Sequence, residues 1–230
     1  MARGLSLVAG AGRRAAEKRS EPKGFGNPFN LPAPPQPTLS ELFAAGPRDG
    51  GWTGFLLPQL EGGKPLLWVQ DRMAILEAGR VHPAGLGKIE LIHVEARDAR
   101  DALWAMEEGL RCSSLSAVVG EIWGDPAVLD FTATRRLAVA AERRQVCCWL
   151  VRLHGTPNLS GARMRWRIAS GPSLPHRLDP KAPGVPAWDA ELFRARGFAP
   201  GRWSVSHETD RFHLLAASGD RALEPLRRRV

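Results

Sequence analysis

Between residues 39 and 151, short apolar runs alternate with stretches whose apolar residues recur at intervals of three and four. The clearest such stretch is 99–111. Asp98 precedes it as an N-cap, and Ala99, Ala102, Leu103, Met106 and Leu110 make one apolar face. A helix between two apolar strands demands a crossover connection, and crossovers join parallel strands. The pattern predicts strands over 39–45, 65–70, 89–94, 115–122 and 146–151. It places helices over 55–60, ended by Gly62 and Gly63; over 72–78, capped by Asp71 and stopped by Gly79; and over 132–144, capped by Asp130. Ala133, Leu137, Ala140 and Ala141 point inward on the last of these. Beyond 151 the style changes. Segments 162–169, 202–206 and 212–217 read as strands without long helices between them, as antiparallel hairpins do. The expected fold class is α/β: a mostly parallel sheet flanked by helices, with antiparallel strands added near the C-terminus.

A chain of 230 residues with 43% hydrophobic content suits one domain with tails. Residues 1–38 carry six basic and two acidic side chains, and prolines crowd their end, so a basic, disordered arm is expected there. The folded domain is expected over 39–218 and a basic tail over 219–230. Of the net charge of +8, the arm holds +4 and the tail +2, so the high pI of 10.4 is mainly a property of the ends. Such ends can hold an anionic partner loosely, nucleic acid included. No run approaches the ~18 apolar residues of a membrane span, and the 5–9 run is too short for an export signal. The expectation is a cytoplasmic protein that contacts no membrane. Cys112, Cys147 and Cys148 are odd in number and lack metal spacing; the adjacent pair reads as core thiols on opposite strand faces. The six histidines show no metal spacing either, and no metal or cofactor is expected.

One stretch has the outline of chemistry. GPRDGGWT, Gly46 to Thr53, follows the first strand and leads into an apolar helix. Gly46, Gly51 and Thr53 stand at the spacing of a phosphate-binding loop, but Trp52 occupies the lysine position that meets the outer phosphates. Pro47 offers no backbone N–H to an anion.

Other constellations are bland or ambiguous. Arg163, Arg165 and Arg167 alternate with Met164, Trp166 and Ile168, which puts three guanidiniums on one strand face. They form either a phosphate- or partner-contacting rib or the solvated face of an outer strand with its own acidic neighbours. Arg135, Arg136, Arg143 and Arg144 form the polar side of a helix, with Glu142 the one acid near them in sequence. Arg135 and Arg136, with Arg227, Arg228 and Arg229 of the tail, join the rib as candidate nucleic-acid or partner contacts. Among eight tryptophans, Trp68, Trp104, Trp123, Trp149 and Trp166 fall at core or strand positions, whereas Trp188 and Trp203 could anchor a partner.

The order of these pieces resembles a known family. The degenerate loop is followed by PLLWVQDR, HVEARDARDALWAMEEGLR, LSAVVGEI, LDFTATRRLAVAAERR, RMRWRIA and a closing RWSVSHE…RFHLLAA. Together they resemble the ImuA family, RecA-like proteins of bacterial damage-induced mutagenesis, over most of the chain. The resemblance implies a RecA-like core. It implies a non-catalytic accessory role in SOS-induced error-prone translesion synthesis, as adaptor to ImuB (a Y-family polymerase relative) and an alternative replicative-type polymerase subunit. RecA and DNA are further implied contacts, and self-association is open. A regulator that binds RecA or its filament and limits recombination is the alternative. On the 115–122 strand, the magnesium-site aspartate of active relatives would stand at Gly120. Glu121 follows one step on, which turns its side chain to the other face. Both halves of a nucleotide site are then damaged, and ATPase activity is not expected.

Overall fold

A computed structural model describes residues 31–60, 63–87, 89–176, 178–179, 181–208 and 211–215. The chain opens with strand β1 (Leu39–Ala44), then helix α1 (Gly51–Leu56), which tightens into a 3-10 turn over Leu57–Gln59. Next come β2 (Leu66–Asp71), α2 (Arg72–Ala78), a 3-10 turn over Pro83–Leu86, and β3 (Leu91–Ala96). Then follow α3 (Ala99–Leu110), β4 (Ala117–Trp123), α4 (Phe131–Arg144) and β5 (Cys147–Leu153). The last strands are β6 (Met164–Gly171), β7 (Ala187–Ala195), β8 (Gly201–Glu208) and β9 (Arg211–Leu215).

Among the described residues, nine strands make one sheet, ordered β3-β2-β4-β5-β1-β6-β7-β8-β9. The pairs from β3 through β6 are parallel and those from β6 through β9 antiparallel. This is the expected architecture. Three helix starts are fixed by the expected aspartates: Asp71 accepts from Ala74 N (2.6 Å), Asp98 from Arg100 N and Asp101 N (2.9 and 3.0 Å), and Asp130 from Ala133 N (2.7 Å). Helix α4 closes with Gln145 in the left-handed region (φ 55°).

Each strand deals its side chains alternately to two cores. One face gathers Leu42, Trp52, Phe55, Trp68, Val119, Trp149 and Trp166 beneath α1. The other gathers Leu39, Val69, Leu103, Met106, Val118, Leu137, Cys148 and Leu150 beneath α3 and α4. Cys147 and Cys148 fall on opposite faces, as expected, and burial pushes the Cys147 thiol up to about 11.

Several expectations need correction. The arm does not extend to residue 38: Leu31 is 4% exposed inside the tryptophan-rich core, and Thr38 Oγ1 donates to Glu142 (2.9 Å). Residues 1–30 and the tail, with Arg227, Arg228 and Arg229, lie outside the described residues. The first helix starts within the glycine turn, four residues before the expected 55, and ends at Leu56, short of Gly62 and Gly63. Strand β7 was not anticipated. Trp104 is 65% exposed and packs into neither core. Trp188 is a core residue of β7 and not a free anchor, and Trp203 packs on Trp166, ring centroids 5.8 Å apart.

Candidate functional site

The glycine turn sits at the C-terminal end of β1, at the middle of the sheet, where open α/β sheets form their crevices. Asp49 organises it. One carboxylate oxygen accepts from Gly51 N (2.8 Å) and Ser170 Oγ (2.6 Å), and the other from Ser170 N (2.9 Å). Burial raises the Asp49 carboxyl, but the bonds from Ser170 and Gly51 outweigh it and hold the group below its ordinary value. Thr53 turns inward too: its N–H and its hydroxyl both donate to Gly50 O (3.1 and 2.7 Å). The donors of Gly51 and Thr53 are thus satisfied by the turn itself.

Two glycines of the run have a packing reason. A Cβ on Gly51 would lie 2.5 Å from Ser170 Oγ and 2.9 Å from the Trp188 ring. One on Gly54 would lie 2.1 Å from the same ring. Strand β7 brings Trp188 against α1, and only a bare backbone lets the helix approach that closely. Gly50 has open space around a Cβ, and one on Gly46 would make only ordinary contact with Asp49 Cβ (3.9 Å).

Beside the turn lies a cavity of about 500 Å³, walled by Trp52, Thr53, Leu57, Trp68, Leu86 and Leu153, with Arg48, Glu77, Arg80 and His82 toward its rim. Trp52 is 5% exposed and tilts against Trp68, ring centroids 6.2 Å apart. Glu121 reaches the cavity floor. This corrects the expected orientation. Gly120 faces α3, where a Cβ would lie 2.1 Å from Met106 Sδ, while Glu121 points to the side of the glycine turn. Trp68 Nε1 donates to one Glu121 oxygen and Gln70 Nε2 to the other (3.0 Å). Gln70 is held in turn by Val81 N (2.9 Å), His93 Nε2 (3.0 Å) and Gly79 O (3.0 Å). Burial pushes the Glu121 carboxyl up to about 7; the bonds from Gln70 and Trp68 oppose this, and the nearby Asp71 adds to it. Glu121 is therefore a rigidly held acid that can carry a proton near neutrality.

The arginine rib is not a free surface. Met164, Trp166 and Ile168 do face the core, and the three guanidiniums do share the other face. Strand β6 is interior, however, between β1 and β7, and each arginine has its own carboxylate. Arg163 meets Glu142 (2.7 Å) and holds it below its ordinary value. Arg165 is buried against Glu41 (2.7 Å) and lies over the rings of Phe43 and Phe193. Arg167 pairs with Glu191 (2.7 Å), which Arg202 also holds (2.9 Å). A second buried arginine, Arg152, also lies over the Phe43 ring and pairs with Asp125 at the turn after β4. Of the helix arginines, Arg136 pairs with Glu107 of α3 (2.8 Å), while Arg135 is exposed. Glu142 turns to Arg163 and Thr38, not to the arginines beside it in sequence.

Sequence reading missed Asp49, Ser170 and Gln70, and it singled out Trp188 as a partner anchor where the residue packs against α1. The signal for Asp49 was present: an aspartate two residues before a glycine amide is an Asx turn. Ser170 and Gln70 act through pairings of distant strands, which no local pattern reports.

The chain is 33% identical to protein ImuA of Caulobacter vibrioides over 175 residues, covering 69% of this chain and 68% of that protein. The same protein from a second strain gives the same figures. The chain belongs to the ImuA family. No family model matches it. In this ImuA-family chain the cavity, the glycine turn and Glu121 all lie at the carboxyl ends of parallel strands β1, β2, β4 and β5. No described helix is long and apolar enough to cross a membrane.

Proposed function

We propose that this chain is a non-catalytic accessory protein of damage-induced, error-prone DNA synthesis. In this reading it works in the cytoplasm as an adaptor that joins an ImuB-like polymerase relative to an alternative polymerase subunit. Membership of the ImuA family carries the reading. The state of the glycine turn supports its non-catalytic half. An incoming triphosphate would meet the Asp49 carboxylate, which already accepts from the Gly51 amide, and an indole where a lysine is required. These residues do not fit the outer phosphates of a nucleotide, and no chemical step is assigned to them.

Deleting the gene tests the adaptor role. Mutation induced by ultraviolet light should fall to the uninduced level while undamaged growth is unchanged; full induced mutation in the deletion strain overturns the reading. ATP titration, followed by tryptophan fluorescence, tests the non-catalytic half. Trp52 and Trp68 wall the cavity and would report an occupant. No saturable change is expected up to millimolar ATP, and saturation in the micromolar range would contradict it.

A further inference from the structure

The outer face of α4 carries two rows of residues four apart. One is Arg135, Val139 and Arg143; the other is Thr132, Arg136, Ala140 and Arg144. With Arg111 from the end of α3, they line a groove of about 400 Å³. Glu107 pairs with Arg136 (2.8 Å) and Glu108 with Arg111 (3.2 Å). Among the described residues no carboxylate pairs with Arg135, Arg143 or Arg144, all of which are exposed. The surplus cations therefore stand at the two ends. Arg135 and Arg143 are eight residues apart, a span of about 12 Å at the rise of a helix. Between them the floor is the half-buried pair Val139 and Ala140. Trp104 is 65% exposed, and helical spacing puts it on the side of α3 that carries Glu107, Glu108 and Arg111.

We propose that this groove binds an acidic helical segment of a partner protein. Two carboxylates about two turns apart meet Arg135 at one end and Arg143 with Arg144 at the other. An apolar side chain between them rests on Val139 and Ala140. Charge complementarity calls for an anion, and the apolar floor selects a peptide over a nucleic acid, because a phosphate backbone brings charge but no apolar side chain to cover that floor. The planar guanidinium fork suits carboxylates at such a site. The use of the groove in the cell rests on the adaptor reading; its chemistry does not.

Fluorescence anisotropy with the full chain tests the groove. The probe is a labelled, alanine-rich helical peptide with glutamates eight positions apart and a leucine midway. Controls are the same peptide with glutamines, and a labelled oligothymidylate. The glutamate peptide should bind at least about tenfold more tightly than the glutamine peptide, and R135E/R143E/R144E should remove that difference. R135Q/R143Q/R144Q, a milder change at exposed positions, should lie between. Equal binding of the two peptides, or a glutamate preference that survives in R135E/R143E/R144E, overturns the proposal. Displacement of the peptide by oligothymidylate that depends on the same three arginines overturns it in favour of nucleic acid. Failure of the adaptor reading would show instead as undiminished ultraviolet mutagenesis in the deletion strain, whatever the peptide does.

Discussion

The two faces of the sheet solve the same covering problem with different materials. Seven of the eight tryptophans belong to one face: Trp52, Trp68, Trp149, Trp166 and Trp188 lie in its core, and Trp123 and Trp203 pack against it. Beneath the long helices, the core of the other face holds leucine, valine, isoleucine, alanine, methionine and cysteine and, among the described residues, no aromatic one; Phe43 and Phe193 stand beside that core, against Arg165. The difference follows the helices. On the aliphatic face, α3 and α4 are 12 and 14 residues long, and Ala99, Ala102, Ala133, Ala138 and Ala141 let them lie close to the strands. On the aromatic face, α1 is a six-residue stub, and large rings fill the volume that a long helix would otherwise occupy. The polar groups divide in the same way. Beneath the stub, Asp49, Gln70 and Glu121 are tied into the protein's own hydrogen bonds. Outside the long helices, Arg135, Arg143 and Arg144 have no described carboxylate. A face whose polar groups are closed on themselves suits structure; a face with surplus charge suits recognition.

The largest test falls where the long helices no longer cover the sheet. Glu41 of β1 is fully buried on that face, accepts from Arg165 Nε (2.7 Å) and Ser160 Oγ (2.7 Å), and sits in the field of the buried Arg152. Glu41→Ala leaves Arg165 without its carboxylate in a site closed to water. The expected loss is about 3–5 kcal/mol of unfolding free energy, measured by urea denaturation. Replacing both partners by apolar residues, as in E41L/R165M, should recover most of it. A loss as large in the double variant would mean that the pair itself, and not the orphaned charge, supports the fold.

Next is the acid on the aromatic face. Glu121 has its carboxyl raised from 4.5 to about 7 by burial. Between those values the native chain keeps a proton that the unfolded chain releases, so stability falls as pH rises from about 4.5 to 7 and then levels. The full effect is about 3 kcal/mol. His93 opposes it, because burial and Arg80 lower its pKa, and Asp71, raised by burial, shares its sign. The difference between wild type and Glu121→Gln isolates the one group. E121Q should be the weaker protein at pH 5, where its amide cannot accept from both Trp68 and Gln70. It should gain about 3 kcal/mol relative to wild type by pH 8. A difference that does not change with pH would mean that Glu121 is ionised throughout.

The legible and illegible parts of the molecule differ by range. The strand–helix alternation, the caps Asp71, Asp98 and Asp130, and the split of Cys147 from Cys148 rest on neighbours within a few residues, and sequence spacing reports them. The antiparallel extension was legible in kind but lost a strand. The stretch 187–195 alternates well, with Trp188, Ala190 and Leu192 inward, but the prolines crowded before it mask where the strand begins. The arginine rib stayed open between two readings for another reason. Period two says which side chains share a face, and it cannot say that Glu41, Glu142 and Glu191, from three other elements, stand opposite them. The same limit hid the role of the glycines. GPRDGGWT has the spacing of a phosphate loop, yet Gly51 and Gly54 make room for a tryptophan more than 130 residues later in the chain.

That role of the glycines can be measured. Gly54→Ala would ordinarily help a helix by about 1 kcal/mol. Here the added methyl meets the ring of Trp188, itself buried in β7, at 2.1 Å. The expected result is a net loss of about 1–3 kcal/mol in urea denaturation. Gly50→Ala, at a site with open space, separates the two roles: it should be nearly neutral. If both substitutions were neutral, α1 would have room to shift away from β7, and the close packing of the aromatic face would not be what fixes the stub in place.

The smallest effect on stability belongs to the other face. Arg143→Glu and Arg144→Glu alter exposed side chains in the last turn of α4, where positive charge complements the helix dipole. Each should cost no more than about 0.5–1 kcal/mol. The same pair should nonetheless weaken binding of the glutamate peptide several-fold, because that end of the groove then repels it. Stability and binding thus separate on the arginine face, and a cost of several kcal/mol there would mean that these cations, like Arg165, are part of the fold. On the aromatic face, substitutions at Trp52, Gly54 or Glu121 should show the reverse: large changes in stability and none in peptide affinity for the protein that remains folded. A peptide affinity that followed stability on both faces would erase the distinction between a closed face and an open one.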